Sequence, residues 1–169
     1  FELLRKSFGG SGYDIACAQH NSAITYQLSE DEKPIVEVVD FHPNYTENIY
    51  FVYLNKKQNS RRAIQNYMNK QQFLTNKTAV ISEITDKIVL SPNLETTTDL
   101  LNHHEIILSD ILEIETVKER LFSDFGGTIK SLGAWGGDFV MVLSKENPIQ
   151  YFISKGYETI LTYEEMILR

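Results

Sequence analysis

Two glycine-rich turns, far apart in the chain, limit what it can fold into. The first, Gly9-Gly10-Ser11-Gly12-Tyr13-Asp14, leads into the small residues Ala16, Cys17 and Ala18. That order predicts a turn followed by a short, closely packed helix, with Ser11 as its N-cap. The second, Gly133-Ala134-Trp135-Gly136-Gly137-Asp138, leads into the apolar run Phe139–Leu143. Glycines before such a run predict a tight turn into a buried strand. A chain that uses one glycine turn to enter a helix and another to enter a strand calls for a mixed α and β architecture.

The residues between the turns fill in that architecture. Ala23–Leu28, Ile35–Phe41 and Ile49–Leu54 are β-branched or aromatic runs bounded by turn-forming residues, and they read as strands. Their connections are too short for crossover helices, so antiparallel pairing of neighbours is the simplest arrangement. Helical spacing follows around Ala63, Ile64, Tyr67 and Met68, where Asn59 or Ser60 is the expected cap. It recurs over residues 76–90. Residues 94–125 carry apolar side chains at helical spacing with a break near Ile114–Thr116. Thr116 is placed to cap the second piece, and Gly126 and Gly127 to stop it. Strands over Thr128–Leu132 and Phe139–Leu143, a helix over Pro148–Lys155 ended by Gly156, and a strand over Tyr157–Thr162 complete the order. This predicts an α+β two-layer sandwich, a mostly antiparallel sheet with helices on one face.

Composition narrows the function classes. The 169 residues suffice for an ordinary core, and 42% apolar with 23% charged residues is usual for a globular protein. A net charge of −7 argues against a general nucleic-acid partner, which needs a basic footprint. Cys17 is the one cysteine, so no internal disulfide can form. That usage fits a reducing cytoplasm. No apolar run approaches the roughly 20 residues that span a membrane.

Several side chains carry two readings. Asp14, at the start of a helix, either favours the helix dipole or serves as an acid–base carboxylate. The basic cluster Lys56, Lys57, Arg61 and Arg62, with Ser60, is either a solvated helix face or a phosphate-binding helix start. His103-His104-Glu105 lacks the spacing that puts two imidazoles on one helical face, so it predicts a surface or packing role and no metal site. Cys17 reads as packed.

The two glycine motifs, in this order, resemble the second and third motifs of the GHMP kinases, the family of galactokinase, homoserine kinase, mevalonate kinase and phosphomevalonate kinase. Gly10, Ser11, Gly12, Asp14 and Ala16 match the turn that carries the family's catalytic carboxylate. Gly133, Ala134, Gly136 and Gly137 match its third glycine-rich run, from which Trp135 and Asp138 depart. The resemblance extends from residue 9 to about 165, and looks closest to the mevalonate and phosphomevalonate branch.

What it implies follows residue by residue. Asp14 would be catalytic. Gly10, Ser11, Gly12, Lys57, Ser60, Gly133, Ala134, Trp135, Gly136 and Gly137 would border substrate and phosphates. ATP and Mg2+ would be required by the whole protein and not bound by this chain alone. Residues 1–20 would be the remnant of an N-terminal catalytic domain, and residues 21–169 the family's C-terminal domain. The family's first motif, the phosphate-cradling loop, is not among these residues and is expected in a preceding N-terminal domain. Apolar Phe1–Ala18 would then leave an interaction surface that favours a homodimer. A non-catalytic binding domain and a diphosphomevalonate decarboxylase-like enzyme are the alternative readings.

Overall fold

Strand-forming residues on either side of Pro43 belong to different sheets. The computed structural model describes residues 11–29, 31, 33–56, 75–91, 93–133 and 138–167. It divides in sequence between His42 and Pro43 into two compact units. In the first, helix α1 (Tyr13–Ala18) precedes strands β1 (Ile24–Leu28) and β2 (Pro34–Val38). These strands form an antiparallel hairpin with Tyr26 opposite Val36. Ser29 closes its turn: its backbone N–H donates to the Lys33 carbonyl at 2.9 Å. Its hydroxyl oxygen accepts from the Lys33 N–H at 3.1 Å.

The second unit is built on β3 (Ile49–Tyr53). Four of its five residues are buried, so both faces are covered. A strand buried on both faces belongs inside a sheet rather than on an edge. Accordingly β3 does not pair with β2, as pairing of sequence neighbours predicts. It lies between β5 (Phe139–Leu143) and β6 (Ile160–Thr162), and β4 (Thr128–Ser131) pairs with the far side of β5. Every pairing in this four-stranded sheet is antiparallel.

The helices of this unit follow local signals. Helix α2 (Thr75–Val89) is succeeded by α3 (Leu94–Leu112), whose N-cap Asn93 accepts the Thr96 N–H at 2.9 Å. Glu113 turns left-handed at φ 54 and ends α3. Thr116 then starts α4 (Val117–Leu121) with a full capping box to Glu119. The predicted break and cap are therefore present. Helix α4 ends at Leu121, before the glycines expected to stop it, because Phe122 leaves helical geometry to enter the core. Helix α5 (Ile149–Ser154) and the short α6 (Tyr163–Met166) flank β6.

The strand period sorts the core into two clusters. On one face Ile49, Phe51 and Leu143 meet Leu101 of α3, with Ile88 of α2 packed beside them. On the other face Tyr50, Val52, Val140, Val142 and Ile129 meet Val117 of α4, Phe122, Phe125 and Phe152 of α5. The mixed α+β class with antiparallel sheets is what forms. The long helices α2 and α3 take one face, and the short elements around Phe122 and Phe152 close the other. Burying each large apolar side chain in these clusters contributes about 1.5–3 kcal/mol before entropy is counted. Among the described residues no helix is long and apolar enough to cross a membrane.

Gly127 is required by close approach rather than by a helix stop. A Cβ built there would sit 2.6 Å from the Leu143 carbonyl oxygen and 2.6 Å from the Phe125 ring. Gly127→Ala is expected to cost about 1–3 kcal/mol, since backbone and a buried ring must both give way. Gly126 has nothing within 4 Å of its Cβ position. Gly126→Ala should stay within about 0.5 kcal/mol of the parent chain. Urea unfolding of both variants checks the contrast, and equal losses would refute it.

Candidate functional site

The first glycine turn is shaped by its backbone. Gly12 is left-handed at φ 82 and ψ 9 and serves as the N-cap of α1. A residue with a Cβ is strained there, which explains glycine at this position. Ser11, expected as the cap, precedes it. Its hydroxyl oxygen accepts the Tyr13 N–H at 3.3 Å, while its carbonyl accepts the Tyr26 hydroxyl at 2.6 Å. The Tyr13 and Tyr26 rings meet edge to face at 6.0 Å. Strand β1 thus holds the turn from which the helix starts.

This geometry places Asp14 in the first turn of α1 with an exposed side chain. Ala16 is buried beneath it, and the His20 ring donates from Nδ1 to the Ala16 carbonyl at 2.7 Å. Cys17 is half-buried and free. An exposed carboxylate on the first turn of this helix is reachable by a ligand.

The second glycine motif lies in the other unit, at one end of the four-stranded sheet. Gly133 is exposed and left-handed at φ 59. At the downstream side of the motif, the Asp138 carbonyl accepts the Leu54 N–H at 2.8 Å. The register Tyr53↔Phe139 puts the exit of β3 beside the entry of β5. Lys56, the first residue of the basic cluster, is exposed just beyond that exit. Asn55 adopts a positive φ of 54, and its side-chain amide donates to the Gly156 carbonyl at 3.1 Å. Glycine motif and basic cluster therefore begin at the same end of the sheet, where loops gather ligands on a rigid scaffold.

Ser11, Gly12 and Asp14 are brought together in the first unit, and Gly133, Asp138 and Lys56 share a sheet end in the second. Gly10, Lys57, Ser60, Ala134, Trp135, Gly136 and Gly137 lie outside the described residues, as does the helix expected around Ala63–Met68.

One polar centre escaped the sequence reading. His103 is exposed, His104 is partly buried and Glu105 is buried. The Glu105 carboxylate accepts the Ser131 N–H at 3.0 Å and the Ser131 hydroxyl at 2.9 Å. Lys130 Nζ lies 3.0 Å from the same carboxylate. Burial, with the Lys130 ammonium nearby, pushes the His104 imidazole down to about 4, so it is neutral at pH 7. The available signal was spacing. Glu105 falls on the stripe of Leu101, Leu108 and Leu112, a carboxylate where an apolar residue is due.

No protein-family model and no curated protein sequence matches this chain. Solved structures do. A Lin0012 protein from Listeria innocua superposes with a TM-score of 0.67 at 16% identity, over 90% of this chain and 53% of that one. L. major mevalonate kinase, solved in complex with R-mevalonate, superposes with a TM-score of 0.62 at 16% identity, over 90% of this chain and 50% of that one. The chain thus spans about half the length of these solved proteins and shares the fold of that half.

Proposed function

We propose that this chain is the C-terminal part of a GHMP-type small-molecule kinase in which Asp14 is the catalytic carboxylate. The observation that carries the reading is the left-handed Gly12 turn, which sets an exposed carboxylate on the first turn of a helix. The fold shared with a mevalonate kinase supports it. The proposed acceptor is a small alcohol or phosphate compound of the mevalonate or phosphomevalonate type, and the donor is ATP. Asp14 would take or orient the proton of the attacking hydroxyl as phosphoryl transfer proceeds. Within the second unit, Gly133 and Lys56 are proposed to contact phosphate, where backbone N–H groups and a cation balance negative charge. Mg2+ would enter with the nucleotide. Among the described residues no group of three or more His, Cys, Asp or Glu stands together.

The reading is tested with the whole protein, ATP, Mg2+ and a panel of mevalonate, phosphomevalonate, galactose and homoserine. Release of ADP that depends on one acceptor is the expected result. Absence of acceptor-dependent ADP release with every member of the panel, together with no ATP binding, would remove the kinase reading. This chain alone is expected to bind ATP weakly, because no phosphate-cradling loop is among its residues. A calorimetric Kd at or below the micromolar scale would contradict that.

A further inference from the structure

The last residue of β4 is held from outside the sheet. In a strand, the N–H and C=O of one residue point to the same side. Ser131 stands opposite Val140 on β5, and β4 is the edge strand. Its N–H goes to Glu105 Oε2 at 3.0 Å, and its hydroxyl donates to Oε1 at 2.9 Å. Its carbonyl accepts Lys130 Nζ at 2.6 Å, and that ammonium lies 3.0 Å from Glu105 Oε1. Two side chains thus occupy both outward backbone groups of Ser131. A small cavity of about 20 Å³ adjoins Glu105 and Ser131 and is lined also by Ser109, Val117 and Arg120.

A buried carboxylate and a largely buried ammonium are costly to desolvate, and a packed apolar pair often does as well for stability. Their position suggests what they do instead. Ser131 is the point from which the chain runs through Leu132 and Gly133 into the second glycine motif. Downstream, Asp138 is tied to Leu54. Both flanks of the motif are therefore fastened, one to the sheet centre and one to α3.

We propose that Glu105, acting with Lys130, is a positioning residue: it fixes the backbone at Ser131 and so sets where Gly133 stands at the proposed phosphate side of the site. The second half of this claim rests on the kinase reading above, and the first half does not.

The test is Glu105→Gln in the whole protein, read by residue-level amide exchange and by steady-state kinetics with ATP. Gln keeps the size and one acceptor but loses the charge. Exchange at Ser131, whose N–H the Glu105 carboxylate accepts, should quicken by about tenfold or more, with Val52 and Phe152 unchanged. The KM for ATP should rise about threefold or more while kcat stays within about twofold. Glu105→Gln combined with Lys130→Met avoids an unpaired buried ammonium, and should show the same exchange pattern if the single variant folds poorly. Unchanged exchange at Ser131 overturns the proposal. So does quickening spread evenly over the sheet, which marks loss of stability alone, or local quickening with an unaltered KM. If the unmodified protein turns over no ATP, the kinase reading fails separately. Exchange at Ser131 then decides the clamp by itself, quickened exchange supporting it and unchanged exchange overturning it.

Discussion

Phe152→Ala is expected to remove about 3–5 kcal/mol of folding stability. The Phe152 side chain is fully buried on α5. Its ring lies 5.1 Å from Phe122, 5.2 Å from Phe125 and 5.1 Å from Tyr151, measured between centroids. These rings close one face of the four-stranded sheet over Val52, Val140 and Val142. Alanine loses the transfer energy of a phenyl group and leaves a cavity that neighbouring rings fill only in part. A domain stable by about 5–15 kcal/mol loses much of its margin that way. The adjacent Ile153 is 43% exposed. Ile153→Ala should cost about 1 kcal/mol or less, since most of its surface is already in water. Chemical denaturation of the two variants checks the contrast. Equal losses would mean that the aromatic cluster does not hold this face together.

Much of this architecture was legible because its signals are local. Phe139–Leu143 reads as a strand from five apolar residues after a glycine turn, and the structure has a strand with those bounds. The break between α3 and α4 is legible because Thr116 and Glu119 form a capping box three residues apart. Pairing was less legible. Ile49–Tyr53 declares itself a strand, but its partners lie at Phe139–Leu143 and Ile160–Thr162, and strand pattern carries no partner identity. Its unbroken apolar run was the clue that it sits inside a sheet.

At the candidate site the same division holds. The turn into α1 is visible in Gly10–Asp14, yet the cap moved from Ser11 to Gly12 because the backbone there turns left-handed. Cap preferences rank side chains and do not foresee such a φ. Glu105 was hidden for another reason. Its partners Lys130 and Ser131 are remote in sequence, and a glutamate in a helix reads as solvated until a strand edge is seen against it.

The central claim is that Asp14 does chemistry. Asp14→Asn in the whole protein is expected to lower kcat by about 10²–10⁴-fold, the range typical of losing a general base. Asparagine keeps the size of the side chain and suits a helix start about as well, so folding should barely change. The exposed position of Asp14 leads to the same expectation, a stability change within about 0.5 kcal/mol. Substrate binding should also persist, because the lost interaction belongs to the chemical step. The deciding measurement is kcat of the Asn variant with ATP and the best acceptor, taken beside its melting temperature. A collapse in turnover at an unchanged melting temperature is the predicted result. Turnover near that of the unmodified protein would contradict the account, making Asp14 a helix-start residue and leaving the shared fold as the extent of the kinase likeness.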